Sequence, residues 1–488
     1  MQDGQKKSIY KNVFYKTILN LFNLVVPLVV GSYALRVLGD ASSGIVDYST
    51  AIYEYFFIFA QFGIYYYGLR EISRIRDDKK KVQELFGSLF VLGLISNITV
   101  VICFLLFIFT KFQGNPMMPV LMALSLNFLS NIFYIEWINE AVENYSFITI
   151  KSIIVRLIYL VLLFTFVKDN GDFLNYALVT ITWLFLNNIS SYIYIRKRVG
   201  ISFKNIRLAK HIKPLIMVVI LTNANVLFTK LDILMIGDYL GNAQVAYYTI
   251  GQKVVSIINA IVLSIITVSI PRLSNHIANG DKKAYKSLLD NITNTFCAFL
   301  FPASIGIFCL SKEIILLYGG PEFAPAQGVL AVFAIYMISL GFEYIVTQQV
   351  MYVNKKEKVT ALFIFSCGVI NLILNVSLLK LGIFTPTTAI FTTMIANYLM
   401  VISIYVYIRK GLKLDFNLFA FNKMKYLVVS LIFIPVSMSI KYFTSNMILV
   451  VLLVGGINSI IYVAILYVVK DKILFSIIDM VKKKLKKK

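Results

Sequence analysis

The chain has 488 residues, of which 59% are hydrophobic and 15% charged, with 47 Lys plus Arg against 24 Asp plus Glu. The mean hydropathy of +0.79 and a charged fraction far below the quarter typical of soluble domains exclude a water-soluble globular protein. Apolar runs of about 20 residues, enough to cross a hydrocarbon core of about 30 Å, recur from end to end. They are too long and too continuously apolar for the strands of a transmembrane β-barrel. The fold class is an all-α polytopic membrane protein.

The first run follows a short polar segment, Met1 to Lys7, and is too long for a signal-peptide core, so it is expected to remain as the first span. Fourteen transmembrane helices are predicted, at 13–37, 45–69, 85–110, 117–141, 148–167, 173–195, 214–237, 243–270, 289–310, 327–352, 359–379, 387–408, 426–443 and 447–469. The termini and the even-numbered loops carry 37 of the 47 basic residues, the opposite loops carry six, and four (Lys16, Arg156, Lys230, Lys253) lie inside spans. Lys and Arg collect on the cytoplasmic side of membrane proteins, which predicts a multi-pass protein of the cell membrane with both termini cytoplasmic. The same distribution accounts for the net charge of +23 without a nucleic-acid partner. Cys103, Cys297, Cys309 and Cys367 lie in apolar runs with no metal or redox spacing and read as packing residues. His211 and His276 fall in basic loops and read as solvated. No phosphate-binding loop of the G-x-x-x-x-G-K-[ST] type occurs.

A faint internal repeat runs through the chain. Leu38-Gly39-Asp40-Ala41 matches Leu240-Gly241-Asn242-Ala243 at an offset of 202, and at that offset Arg70 falls on Arg272 and Lys80-Lys81 on Lys282-Lys283. Coincident matches of this kind mark duplicated transporter halves. The expected organisation is a six-helix bundle with its basic cytoplasmic linker at 1–213 and a second six-helix bundle at 214–425 in pseudo-twofold relation to the first. Extra helices 13 and 14 follow at 426–469, then a basic tail at 470–488. Leu474, Ile477, Ile478, Val481 and Leu485 share one face of that tail, the pattern of an interfacial helix held by acyl contact and anionic lipid.

A Lys or Arg at mid-bilayer costs roughly 2.5–3.5 kcal/mol on insertion scales, so it normally faces a cavity or a partner. In span 1, Lys16, Asn20, Asn23 and Pro27 form one helical stripe, and in span 2 Asp47, Glu54 and Gln61 repeat every seven residues. In span 7, Thr222, Asn225, Thr229 and Asp232 form a stripe with Lys230 beside it; in span 8, Lys253, Ser256 and Asn259 form another. Arg156 lies in span 5, and Arg36 near the outer end of span 1. The simplest arrangement faces these stripes across a central cleft. Lys16, Arg36, Arg156, Lys230 and Lys253 would then form a cationic, anion-binding cavity, with Asn20, Asn23, Asn225, Ser256 and Asn259 as its polar lining. Asp47, Glu54 and Asp232 would pair with those bases or carry a coupling cation. Competing readings are snorkelling for Lys16, a tie to Asp40 for Arg36 and helix packing for Asp232. Glu136, Glu140 and Glu343 lie towards loop ends and read as solvated or gate-lining. Asn371 and Asn375, spaced i, i+4, read as interhelical hydrogen-bonding residues.

The run Pro27, Arg36-Val37-Leu38-Gly39, Gly44, Gly63, Tyr67-Gly68 and Arg70-Glu71-Ile72 resembles the start of the polysaccharide flippases. Leu231-Asp232, Gly237, Leu240-Gly241, Tyr247-Tyr248 and Pro271-Arg272-Leu273-Ser274 look like the second-half signature of the same family, continued by Leu317-Tyr318-Gly319, Phe323, Ala326 and Asn371 to Asn375. This resemblance implies a member of the multidrug/oligosaccharidyl-lipid/polysaccharide exporter superfamily. Such a member moves a polyprenyl-diphosphate-linked oligosaccharide between leaflets by alternating access, for capsule, exopolysaccharide or another surface polysaccharide. It implies no catalytic residues, metal or cofactor, leaves H+ or Na+ as the candidate coupling ion, and makes membrane lipids and other polysaccharide assembly proteins the expected partners. The segment Leu381 to Ala389 departs from the family pattern, so no role is carried onto span 12. Two other readings remain at this stage: a cation-coupled multidrug exporter of similar architecture, and a membrane polysaccharide polymerase, against which the short outer loops speak.

Overall fold

A backbone in hydrocarbon has no water to bond, so only helices and closed barrels can span a bilayer, and this sequence takes the helical solution throughout. The computed structural model describes residues 2–485; side chains are described apart from those of 1–21, 23–24, 220–229, 265, 480–481 and 483–488. Among the described residues there is no strand.

In the first part of the chain the helices are α1 (Gln2–Gln61), α2 (Ile64–Ile75), α3 (Lys79–Lys111), α4 (Met118–Asn131), α5 (Glu136–Ala141), α6 (Tyr145–Phe166), α7 (Phe173–Arg198), α8 (Leu208–Thr229) and α9 (Leu231–Leu240). There follow α10 (Asn242–Thr267), α11 (Ile270–Ala278), α12 (Lys282–Cys309), α13 (Ser311–Gly319) and α14 (Gln327–Tyr344), the last running into a π-helix at Ile345–Tyr352. The chain closes with α15 (Glu357–Lys380), α16 (Pro386–Lys410), α17 (Phe421–Ser430), α18 (Phe433–Phe443), α19 (Met447–Val468) and α20 (Lys472–Leu485). Local chemistry sets the starts. Asp78, Asp281 and Asn446 each accept a backbone N–H at a helix N-terminus, and Thr385 forms a reciprocal cap with Thr388 ahead of Pro386, satisfying amides that have no helical partner.

Twelve segments among the described residues are long and apolar enough to cross a membrane, against fourteen predicted. The first of them, Val25–Ile75, contains the reversal at Gly39 and takes in the predicted span 45–69 and residues 25–37 of the predicted span 13–37. The predicted span 214–237 falls on α8 and α9, much of it beyond the described side chains. The reversal at Gly39 has φ 70° and ψ −177°; its sequence counterpart Gly241 has φ 89° and ψ 175°. This region of backbone space is essentially confined to glycine, so the weak sequence repeat returns as a repeated backbone conformation.

The chain forms two compact units, Met1–Ala246 and Tyr247–Lys488. The boundary expected at 213/214 lies inside the first unit, because the part of α1 after Gly39 runs antiparallel to α8 and α9. Gly44 meets Asn242, the Tyr48 ring lies against Gly237, and Gly63 lies against Leu215 and Val218. A Cβ on Gly44 would come within 1.8 Å of the Asn242 carbonyl oxygen, so only glycine permits this approach. The first unit's core gathers Phe86, Trp137, Ile138 and Leu215. In the second, α12, α14 and α16 bury Phe296, Phe301, Leu330 and Met400. The helices expected as an appendix, α17 to α19, pack on and around α12, and Lys423, 1% exposed, donates to Asp290 at 2.7 Å.

Two glycines separate backbone strain from packing. A Cβ at Gly241 or at Gly306 meets nothing within 4 Å, yet Gly306 is helical. Gly241→Ala is expected to destabilise by about 1–3 kcal/mol and Gly306→Ala to stabilise by up to about 1 kcal/mol, read by thermal unfolding of the purified protein in detergent.

Candidate functional site

The antiparallel pairing of α1 with α9 brings together charges that the sequence distributes over two distant spans. Lys230, at the start of α9, places its Nζ 2.5 Å from Glu54 Oε2 on α1, and the two side chains keep 24% and 34% of their exposure. A lone ammonium or carboxylate here would carry the full cost of a charge at membrane depth; the pair offsets much of it. Asp232, two residues on, is fully buried and lies within electrostatic reach of Tyr55, Glu54's neighbour. About two helical turns towards the other end of α1, the Tyr48 hydroxyl donates to Asp238 Oδ1 at 2.5 Å, and Lys111 Nζ lies 3.4 Å from the same oxygen. The first unit therefore contains a continuous polar seam along α1 and α9.

The other anticipated residues are distributed as follows. Asp47 is half-buried on α1 and Arg36 is exposed. Arg156 is half-buried on α6, with its guanidinium carbon 4.6 Å from the centre of the Trp183 ring, an arrangement worth about 0.5–2 kcal/mol. In the second unit, Lys253 is half-buried on α10, Ser256 is exposed and donates to the Lys253 carbonyl, and Asn259 is buried. Lys16, Asn20, Asn23 and Asn225 lie outside the described side chains. Of the expected charges, the structure thus joins Lys230 to Glu54 and gives Arg156 an aromatic partner.

Three groups differ from their sequence reading. Lys151 and Glu136 are core residues, 6% and 8% exposed. Lys151 Nζ donates to both Glu136 oxygens at 2.9 and 3.0 Å and to Ser191 Oγ at 2.8 Å, and Ser191 and Asn139 donate to Glu136 in turn. The signal was present: Glu136 lies inside the predicted span 117–141, flanked by Ile135 and Trp137, and not beyond its end. Glu343 is likewise buried and accepts from Asn397 Nδ2 at 2.7 Å, where α14 passes into the π-helix. His211, expected in solvent, is 7% exposed with Nδ1 2.7 Å from the Tyr67 hydroxyl. The expectation for Asn371 and Asn375 agrees with their full burial and with the Thr392 hydroxyl, which donates to Asn375 Oδ1 across α15 and α16.

Irregular backbone also sits at this depth and is satisfied by protein. Phe62 (φ 48°) and Gly63 (φ 69°) break the helix between α1 and α2. The freed Ala60 carbonyl accepts from Ser96 Oγ at 2.9 Å and Asn97 Nδ2 at 3.1 Å, while Asn131 donates to Asn97. On α2, beyond the break, Gly68 lies so close to Trp137 that a Cβ would approach its ring to 2.5 Å.

Buried charge networks and broken helices inside a multi-pass helical membrane protein define the class to which this chain belongs, that of polytopic membrane transporters. Residues 9–276 match the polysaccharide biosynthesis protein family, and the chain belongs to that family; residues 214–377 also match the MatE family. The chain is 22% identical over 382 residues to a putative O-antigen transporter of Escherichia coli K12, covering 76% of this chain and 89% of that protein. A shorter match, 25% over 152 residues, is to a probable low-salt glycan biosynthesis flippase, Agl15, of Haloferax volcanii, covering 31% and 32%. The fold is similar to that of the lipid II flippase MurJ in its inward closed conformation, with a TM-score of 0.74 at 17% identity over 93% of this chain and 99% of that one.

Removing one partner of the Lys151–Glu136 pair leaves a buried charge uncompensated. Glu136→Gln and Lys151→Met are each expected to destabilise by about 3–5 kcal/mol, and the double variant by clearly less than their sum; thermal unfolding in detergent reads both. For His211, which precedes the predicted span, burial and then Lys210 hold the imidazole below its usual value, with Glu71 opposing. The fold favours the neutral ring. The unfolded chain therefore takes up the proton first as pH falls through about 6.5, and stability is lost from there down to the lower folded value. Thermal stability should drop between pH ~7.5 and ~5, and His211→Phe should remove that component of the drop.

Proposed function

We propose that the chain is a flippase that carries a lipid-linked glycan, a polyprenyl-diphosphate-linked oligosaccharide, from the inner to the outer leaflet by alternating access, in the assembly of capsule, exopolysaccharide or another surface polysaccharide. The observation that carries this reading is membership of the polysaccharide biosynthesis protein family. It is supported by the likeness to a putative O-antigen transporter over most of both chains. The geometry agrees with a transported anion. Lys230 is held at membrane depth by Glu54 yet keeps a quarter of its side chain accessible, and Lys253 and Arg156 are half-buried on their own helices. Cationic groups of this kind suit a diphosphate, to which hydrogen bonds from charged donors contribute roughly 1.5–3 kcal/mol each.

On this reading the protein is a transporter and not an enzyme, lies in the cytoplasmic membrane with both termini inside, and needs no cofactor. A proton or sodium gradient would drive it, Asp47, Glu54 and Asp232 being the acids available for coupling. The two six-helix repeats, 1–213 and 214–425, would supply the moving halves, and other polysaccharide assembly proteins would deliver the substrate and take it up. The match to the MatE family favours one second reading, a cation-coupled multidrug exporter.

Reconstituted in liposomes, the protein is expected to translocate a polyprenyl-diphosphate glycan and to leave cationic drugs where they are. Lys253→Glu and Arg156→Glu are each expected to lower the rate per folded molecule at least about tenfold, the folded fraction being read by thermal unfolding. Drug export without glycan translocation would assign the chain to the second reading.

A further inference from the structure

A row of residues along α12 changes character halfway. Stepped every fourth residue it reads Lys286, Asp290, Asn294, Ala298, Pro302 and Gly306, and it winds round the helix by about 40° per step. Its polar half borders a basin of about 740 Å³ closed by α17 and by the turn from α19 into α20. Its small apolar half borders a groove of about 530 Å³ between α12, α19 and α20. Ile473 lines both cavities, so the two adjoin at that residue. Along α19 the groove extends from Leu466 to Val454, a rise of about 18 Å.

The charges of the basin do not balance. Lys286, Lys423, Lys425, Lys470 and Lys472 line it together with Asp290, Asp415 and Asp471. Each carboxylate is already engaged: Asp290 by Lys423, Asp415 by Lys286 and Arg409, and Asp471 by Lys425. Lys470 and Lys472 are exposed and enter no ion pair among the described residues. Asp471 also accepts from the Tyr426 hydroxyl and caps α20 through the Ile473 and Leu474 amides, which fixes the two lysines at the rim.

We propose that the second unit binds an anionic phospholipid, with the phosphate headgroup in this basin and one acyl chain in the adjoining groove. The surplus of two lysines attracts a phosphodiester and exceeds its single negative charge by one, and a groove whose lining is almost wholly apolar matches a hydrocarbon chain. The basin lies at the start of α20, whose Ile473, Leu474 and Ile477 turn to the groove, so the lipid joins the terminal helix to α12. Under the orientation proposed above, it belongs to the inner leaflet. The site involves none of the residues placed in substrate binding, so its test is independent of the flippase reading.

Native mass spectrometry of the purified full chain, titrated with phosphatidylglycerol or phosphatidylcholine, tests the site. Wild-type protein is expected to retain phosphatidylglycerol roughly tenfold more tightly than phosphatidylcholine. The double variant Lys470→Gln, Lys472→Gln should abolish that preference. Gly306→Leu with Gly455→Leu should fill the groove and weaken both lipids; a Cβ at either position meets nothing within 4 Å, and unchanged thermal unfolding would establish that the variant folds. Should it not fold, the exposed lysine pair still decides the matter. Equal retention of the two lipids by wild type, or retention unaltered by the lysine pair, overturns the proposal. Displacement of phosphatidylglycerol one for one by a polyprenyl phosphate would give the groove to the transported lipid and overturns it equally.

Discussion

Within a hydrocarbon layer a polar group has only the protein to bond with, and this constraint runs through every irregular feature of the chain. The break at Phe62 and Gly63 frees a carbonyl that Ser96 and Asn97 then bind. The carboxylate of Glu136 lies where the helix between α4 and α5 is interrupted, and Lys151, Ser191 and Asn139 close around it. Glu343 stands where α14 widens into a π-helix, with Asn397 against it. Single-turn π segments recur at functional positions, and here the polar side chain and the departure from regular helix occur together.

The charges divide into two sorts. Lys151 and Glu136 are nearly sealed, with side-chain exposures of 4% and 10%. Lys230 and Glu54 are open, at 24% and 34%. A sealed pair is costly to bring out of water and is a poor source of stability, but once formed it fixes how α5, α6 and α7 meet. An open pair can exchange its partner for an anion. That difference in exposure, more than the number of charges, separates the Lys230–Glu54 pair from the larger network around Glu136.

Much of the architecture was legible from hydropathy, because a span of apolar residues bounded by basic loops has few alternatives. The turn at Gly39 and Gly241 was legible as well: a glycine at matching places in two halves reflects a backbone that other residues cannot adopt. Charge partners were legible only in kind: Glu54 was expected to pair with one of the span bases, and the structure makes that base Lys230. Glu136 was read towards a loop end although it lies inside the predicted span 117–141, and its partner Lys151 lies inside the next, 148–167; what hydropathy does not display is the interruption that turns the two together. His211 looked solvated because its neighbours in sequence are basic, whereas its neighbours in space are Tyr67 and the end of α2. The pairing of Glu54 with Lys230 depends on Gly44 and Gly237 allowing α1 and α9 to approach, a fact of shape with no trace in composition.

The buried pairs also impose an order on biosynthesis. Glu136 and Lys151 are 15 residues apart, so the acid meets its base almost as soon as both leave the ribosome. Asp290 and Lys423 are 133 residues apart, and at about 5–20 residues per second the acid on α12 waits on the order of ten seconds for the lysine that binds it. During that interval α12 must keep Asp290 near the membrane surface, where water serves in place of the missing lysine. The second unit therefore reaches its final packing only after α17 has been made, and truncation before that helix would leave a chain whose earlier spans are complete but whose Asp290 lacks the lysine it pairs with in the folded protein.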